Sequence, residues 1–137
     1  MNVYLDAGHQ VSFGTFPLRG DDLKSAMRLA ADIGYRSFDT AQMYGNERDV
    51  GDCLRTLGLP RDQLFVTTKI NPRNFAPGDF LPSVEQSLRD LQMDRVDMLL
   101  LHWPDSMATM PRHWTSFRWR MTVAMPHISA SRTIPSA

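Results

Sequence analysis

Four side chains with acid–base chemistry are spread along the chain, each at or just after the end of a predicted strand. Asp39 and Tyr44 lie in the stretch "GYRSFDTAQMYGNERDVG", Lys69 lies in "LFVTTKI", and His102 lies in "RVDMLLLHW". An ammonium group keeps its charge beside a carboxylate and favours the phenolate form of a nearby tyrosine. Such a tyrosine can give a proton to a carbonyl oxygen while another group delivers a hydride. A neutral histidine can orient that carbonyl through its ring N–H.

Each of the four residues also has an ordinary structural explanation. Asp39 could cap a turn, Lys69 could extend from a strand end into water, Tyr44 could be a half-buried loop aromatic, and His102 could be a core histidine. Their shared position at strand ends favours the chemical interpretation, because the ends of parallel strands meet at one place.

Strands and helices alternate along the sequence. A hairpin made of "VYLD" and "SFGTF" leads into further strands at "YRSFDTA", "LFVTTKI" and "RVDMLLLHW", with helices between them. This order predicts a parallel sheet with crossover helices, either doubly wound or part of a (β/α)₈ barrel. Polar residues at the carboxyl ends of the strands favour the barrel, whose active sites lie at that face.

Helical spacing of apolar residues indicates which faces are buried. In the first helix the face comprises Leu23, Met27, Ala30 and Ala31, with Asp21 or Asp22 as the N-cap and Gly34 as the stop. In the third helix, "LPSVEQSLRDLQ", it comprises Leu81, Val84, Leu88 and Leu91.

Composition argues against several classes of protein. The 137 residues carry 15 basic and 15 acidic side chains, so no general attraction to nucleic acid or lipid is expected, and a small molecule is the expected partner. Cys53 is the only cysteine and no secretory signal is recognisable, which favours the cytoplasm. The longest apolar run, "MLLL", is far below the roughly 20 residues of a membrane helix. The spacing of His9, His113 and His127 predicts no metal site.

Four motifs point to a known family. "FGTF", "GYRSFDTAQMYGNE", "TTKI" and "LLLHWP" occur in this order and resemble the early signatures of the aldo-keto reductases, most closely the bacterial 2,5-diketo-D-gluconate reductases. The resemblance covers residues 1 to about 105. It implies a barrel enzyme that reduces aldehydes or ketones to alcohols with NADPH and is monomeric when intact.

The resemblance also implies roles for single residues. Tyr44 would be the proton donor, Lys69 and Asp39 would tune it, and His102 would orient the substrate. Gly14, Thr15 and Asp39 would lie near the nicotinamide and its ribose. The substrate pocket would be formed by Phe16, Tyr44, His102 and Trp103. Packing roles for the two large aromatics, Phe16 and Trp103, are an equally open alternative.

The resemblance implies a cofactor site that extends beyond this chain. The sequence has no G-x-G-x-x-G fingerprint, as expected, because this family binds NADPH through loops of the second half of the barrel. A full barrel needs roughly 250 residues. The carboxamide-binding Ser-Asn pair and Gln, the stacking aromatic and the basic residues for the 2′-phosphate have no counterpart here.

Residues 106–137 differ in character from the preceding part. They contain no Asp, Glu or Lys, and no clear helical pattern. Codons compatible with "ISASRTIP" can be read as "IGISNYT" in the neighbouring frame, which resembles the next segment of the family, including its Ser-Asn pair. We therefore predict a frameshift near Asp105, with residues 1–105 forming half a barrel and residues 106–137 an irregular tail. Absence of "IGISN" from the neighbouring frame of the gene would contradict this.

The sequence supports three hypotheses about function. The first is a carbonyl reductase, of which this chain is an inactive fragment that associates with itself because apolar side chains such as Val66, Leu99 and Leu101 lose their opposite wall. The second is a non-catalytic half barrel that serves as an interaction or cofactor-sensing module. The third is nucleic-acid binding by the arginine- and tryptophan-containing tail.

Overall fold

The computed structural model describes residues 11–103. The first strand of the predicted hairpin, His9, His113, His127 and the tail at 106–137 lie outside the described residues. No helix within 11–103 is long and apolar enough to cross a bilayer. The main elements are β1 (Ser12–Gly14), α1 (Gly20–Asp32), β2 (Ser37–Asp39), α2 (Glu47–Thr56), β3 (Phe65–Ile70), α3 (Pro77–Leu91) and β4 (Met98–Leu101).

The four strands form one parallel sheet in the order β1-β2-β3-β4. Helices α1, α2 and α3 all pack on one face of it, since the side chains that meet them, Phe38, Val66 and Ile70, share that face. A doubly wound sheet would carry helices on both faces and change direction within the strand order. Sequential order with helices on one side is instead the winding of a (β/α)₈ barrel.

The buried face of α1 is as the sequence predicts. Leu23 and Met27 are fully buried, and Ala30 and Ala31 are nearly so. They belong to the same apolar cluster as the side chains on the helical face of the sheet and on α2. Burying a side chain of the size of leucine or methionine contributes about 1.5–3 kcal/mol, so this cluster holds the helical layer on the sheet.

The predicted orientation of three strand residues is wrong. Val66, Leu99 and Leu101 pack in the apolar clusters beneath the helices and do not face the barrel interior. Successive strand residues point to opposite faces of the sheet. Lys69 lies on the face away from the helices, here called the inner face, so Val66, three residues earlier, lies on the face that the helices cover. By the same register the inner face carries Ser12, Ser37, Asp39, Phe65, Thr67, Lys69, Met98 and Leu100.

The start of α1 also differs from prediction. The N-cap is Arg19, in extended conformation, and both Asp21 and Asp22 lie in the first turn, where their charges favour the positive end of the helix. The backbone N–H of Gly20 donates to the Asp49 carboxylate of α2, with an N–O distance of 3.0 Å. The backbone N–H at the start of α1 is therefore satisfied by a residue of the next helix, and not by the local cap, Asp21 or Asp22, that the sequence predicted.

Helix α3 begins earlier than predicted, at Pro77, where proline has no N–H to lose. Phe80 and not Leu81 packs on its apolar cluster, and Leu81 is 57% exposed. Val84 and Leu91 are buried and Leu88 packs beside them, as predicted.

Candidate active site

Asp39 and Lys69 meet at the carboxyl ends of β2 and β3. Both point to the inner face, and the Lys69 ammonium donates a short hydrogen bond to Asp39 Oδ1. It donates a second to the Thr40 carbonyl oxygen, at 3.1 Å. Exposure is 16% for the lysine side chain and 27% for the carboxylate, so the ion pair is partly shielded from water.

Tyr44 is brought to this pair by the short 3₁₀ helix Gln42–Tyr44, which follows β2. Its hydroxyl oxygen lies 3.3 Å from Lys69 Nζ, within hydrogen-bond reach. The same ammonium lies 5.0 Å from the centre of the Tyr44 ring. The structure thus brings Asp39, Tyr44 and Lys69 together, as the shared position at strand ends led us to expect.

His102 completes the group from β4. It follows the last residue of that strand, and its backbone N–H donates to the Ile70 carbonyl oxygen at 3.1 Å. Its ring meets the Tyr44 ring edge-on, with the ring centres 5.3 Å apart. Partial burial lowers the pKa of His102 and the Lys69 ammonium lowers it further, while the Asp39 carboxylate acts in the opposite direction. The ring is therefore neutral at pH 7, and its buried Nδ1 has no hydrogen-bond partner among the described residues.

Phe16 and Trp103 extend the site into an exposed aromatic wall. The Phe16 ring packs on Tyr44 with the centres 5.1 Å apart, and the Trp103 ring stacks on His102 at 5.5 Å. The two side chains are 66% and 58% exposed. Neither aromatic ring is therefore buried in the core of the described residues.

Gly14 and Thr15 lie next to the site, and they differ in what surrounds them. Gly14 aligns with Asp39 in the register of the sheet, and a Cβ atom there would meet no atom within 4 Å. Thr15 is fully buried, and its hydroxyl oxygen accepts a hydrogen bond from Asn46 Nδ2 at 3.3 Å. Within the described residues, Gly14 leaves open space on the inner face, whereas the Thr15 side chain fixes the adjoining loop.

Asn46 supports the site without having been predicted to do so. It occupies the N-cap position of α2, yet its side chain makes no cap and is buried. Its Nδ2 donates to the carbonyl oxygens of Thr15 and Leu18, and its Oδ1 accepts from the Thr40 hydroxyl at 2.8 Å. The available signal was an N-cap residue before a helix, but that pattern predicts a local bond and not three contacts with other segments.

Arg19 is a second unpredicted contributor. Its guanidinium donates to the carbonyl oxygens of Tyr44 and Gly45, at 2.5 and 2.9 Å. The loop before α1 is thereby joined to the turn that carries Tyr44. An isolated arginine in a loop has no sequence pattern that would have indicated this contact.

The chain is similar to several known proteins. The model of the aldo/keto reductase family matches residues 10–122. The methylglyoxal reductase DkgB of Escherichia coli O157:H7 is 44% identical over 91 residues, which cover 66% of this chain and 34% of that protein. Aldo-keto reductase family 1 member A1 of Rattus norvegicus is 37% identical over 111 residues, covering 75% of this chain and 34% of that protein.

A solved structure named for 2,5-diketo-D-gluconic acid reductase B superposes with a TM-score of 0.68 at 44% identity, covering 73% of this chain and 35% of that one. The chain spans about a third of the length of the curated relatives it matches. The predicted resemblance is confirmed, and so is the predicted partial barrel. The family match over residues 10–122 shows that this chain belongs to the aldo/keto reductase family.

Proposed function

We propose that the described residues are the catalytic part of an NADPH-dependent reductase that converts aldehydes or ketones into alcohols. The observation that carries this proposal is the position of Lys69 Nζ, which donates to Asp39 and lies 3.3 Å from Tyr44 Oη. Next to this group lies the neutral ring of His102. Reduction of a carbonyl requires a proton donor and a group that orients the carbonyl oxygen, and these residues can supply both.

In this mechanism Tyr44 gives its hydroxyl proton to the carbonyl oxygen of the substrate. Lys69 favours release of that proton, because an ammonium nearby stabilises the phenolate that remains. Asp39 holds the ammonium in place. His102 keeps its ring neutral and can direct a ring N–H at the carbonyl oxygen, which orients the substrate before proton transfer. NADPH, when bound, supplies the hydride.

The inner face has room for part of this cofactor. The space beside Gly14 is open, and the Asp39 carboxylate borders it in the neighbouring strand. We propose that these residues and the backbone of Thr15 lie along the nicotinamide and its ribose. The remaining contacts would come from parts of a full barrel other than the described residues.

The aromatic wall suggests where the substrate binds. Phe16 and Trp103 flank Tyr44 and His102 and remain exposed, so they can cover a small carbonyl compound with apolar surface. One relative is named for methylglyoxal and a solved relative for 2,5-diketo-D-gluconic acid, both compact polar carbonyl compounds. We propose a substrate of this class, in the cytoplasm, with no nucleic-acid or membrane partner.

We further propose that the 137-residue chain is an inactive fragment. Within residues 11–103, β1 and β4 each pair with only one neighbour, and Leu100 on the inner face of β4 is 41% exposed. Open strand edges and exposed apolar side chains favour association with other copies. An intact barrel would have neither edge, and we expect it to be monomeric.

The proposed chemistry is tested in a gene whose reading frame is restored after the codon for Asp105. Tyr44→Phe should lower turnover by about 10²–10⁴-fold while NADPH binding is retained. Tyr35→Phe is the matched control, since Tyr35 packs on Phe13 away from the site and should leave turnover unchanged. Full turnover in Tyr44→Phe would refute the assignment and favour a non-catalytic half barrel. Fluorescence titration of the 137-residue chain should show no micromolar NADPH binding, and such binding would contradict its description as an inactive fragment.

A further inference from the structure

The side-chain amide of Gln42 uses all of its hydrogen-bonding capacity. Its Nε2 donates to the Ser83 carbonyl oxygen and to the Ser87 hydroxyl, both at 3.0 Å. Its Oε1 accepts from the Asn71 backbone N–H at 2.8 Å and from Asn74 Nδ2 at 2.9 Å. If the amide were reversed, Oε1 would face the Ser83 carbonyl oxygen and Nε2 would face the Asn71 N–H. The surrounding donors and acceptors therefore fix the orientation of the amide.

These contacts continue into a buried carboxylate. The Ser87 hydroxyl, which accepts from Gln42, donates to Glu47 Oε2 at 3.1 Å, and the Thr68 hydroxyl donates to Glu47 Oε1 at 2.6 Å. Glu47, Thr68 and Ser87 are all buried. Through Ser87, Gln42 is therefore connected to a hydrogen-bond network that is buried in the core.

Gln42 opens the three-residue turn that ends at Tyr44. A 3₁₀ turn of this length is weak by itself, because it contains few hydrogen bonds of poor geometry. Met43, between the two residues, is 49% exposed and cannot anchor the turn in the core. The Arg19 guanidinium holds the far end of the turn from an exposed position. The side chain of Gln42 joins the near end to α3 and to the loop between β3 and α3.

We propose that Gln42 is a positioning residue that sets the location of the Tyr44 ring relative to His102 and Lys69. Its amide binds the loop between β3 and α3 on one side and α3 on the other. The turn is therefore held at both contacts, and the phenol keeps its place at the carboxyl ends of the strands. The importance of this for catalysis rests on the proposed function of Tyr44. The geometric claim itself concerns only the placement of the ring.

The test measures ring placement by NMR in the 137-residue chain with ¹³C-labelled tyrosine and histidine rings. Gln42→Met keeps the length of the side chain and removes all four hydrogen bonds. Asn74→Ala removes only one of them, from a half-buried partner, and serves as the milder variant. Thr68→Val is the matched control, since it breaks the network at its far end and leaves every hydrogen bond of Gln42 in place.

We expect Gln42→Met to weaken the nuclear Overhauser effect between the rings of Tyr44 and His102 severalfold, because this effect falls steeply as the distance between their protons increases. Asn74→Ala should produce a smaller loss in the same direction. Thr68→Val should leave the signal at its wild-type intensity although it lowers the free energy of unfolding. This last comparison separates positioning from stability, because destabilisation alone would affect both kinds of variant.

Three results would overturn the proposal. They are an unchanged signal in folded Gln42→Met, a loss in Thr68→Val as large as that in Gln42→Met, and absence of the Tyr44–His102 signal from the wild-type chain. If Gln42→Met does not fold, Asn74→Ala takes its place as the test. An unchanged Tyr44–His102 signal in Asn74→Ala would then contradict the proposal. Because the measurement involves no turnover, failure of the proposed function would leave these results as they are.

Discussion

Lys69 Nζ and Tyr44 Oη lie 3.3 Å apart, although 25 residues separate them in the chain. The lysine comes from the inner face of β3 and the tyrosine from the turn that follows β2, and Asp39 binds the same ammonium. In the register of β2 with β3, Asp39 aligns with Thr67, so Lys69 lies two residues further along β3, within reach of the turn that follows β2. Neighbouring parallel strands therefore bring together an acid, an ammonium and a phenol that have no local contact in the sequence.

Removing the ammonium should affect both stability and chemistry. Lys69→Met leaves the partly buried Asp39 carboxylate without its partner, and we expect a loss of about 1–3 kcal/mol in the free energy of unfolding, measured with urea. In the frame-restored protein, turnover should fall about 10²-fold or more, because Tyr44 loses its charged neighbour. Lys24→Met, which alters an exposed lysine of α1, is the control and should change neither quantity. Unchanged turnover in Lys69→Met would contradict the proposed role.

His102 should make the chain less stable in mild acid. Its folded pKa lies below the ordinary value of 6.5, chiefly because burial disfavours the imidazolium. As the pH falls below 6.5, the unfolded chain takes up a proton that the folded chain does not, so stability is lost across this window. His102→Gln removes this contribution. Urea unfolding should show the wild type losing stability relative to His102→Gln as the pH falls from 6.5 towards the folded pKa, and a constant difference would contradict this.

Glu47 should have the opposite pH dependence. Burial raises its pKa above 4.5, against hydrogen bonds from Thr68 and Ser87 that lower it. The folded chain therefore holds a proton that the unfolded chain has released, so this contribution is complete below pH 4.5 and is lost as the pH rises through the folded pKa. Relative to Glu47→Gln, the wild type should lose stability over that window. A difference between the two proteins that stays constant over this window would contradict the prediction.

Two glycines in helices should respond differently to replacement by alanine. A Cβ atom at Gly51 of α2 would lie 2.5 Å from the Leu91 carbonyl oxygen of α3, so the two helices approach too closely for any side chain there. Gly51→Ala should destabilise by about 1–3 kcal/mol. Gly78→Ala should stabilise by about 0.5–1 kcal/mol, because no atom of residues 11–103 would lie within 4 Å of the new Cβ atom. Thermal unfolding of both variants tests the contrast, and equal effects would show that this close approach is not rigid.

Association of the 137-residue chain should depend on the edge of β4. Leu100→Lys places a charge on the inner face of that edge and should shift sedimentation from larger species towards the monomer. Leu81→Lys introduces the same charge at an exposed position of α3, and it should have less effect. A monomeric wild-type chain over the whole concentration range would contradict the proposed self-association.

Local sequence patterns predicted much of the fold. The spacing of Leu23, Met27, Ala30 and Ala31 identified the buried face of α1, because helical periodicity is a property of neighbouring residues. Strand ends were placed within a few residues, which sufficed to put Asp39, Lys69 and His102 at one edge of a sheet. The family resemblance came from four short motifs, and it needed no knowledge of contacts.

The tertiary structure alone decided how these parts face one another. Val66 was assigned to the wrong face because a parallel strand that is buried on both faces shows no alternation of polar and apolar residues. Its orientation follows only once the structure shows that Lys69 lies on the inner face. Asn46 and Gln42 looked like ordinary turn residues, yet their side chains join segments that are up to 45 residues apart. Sequence determined which chemical groups occur and on which elements they lie, because those signals are local. Their distances and hydrogen-bond partners depend on strand pairing and helix packing, which bring together residues distant in the chain.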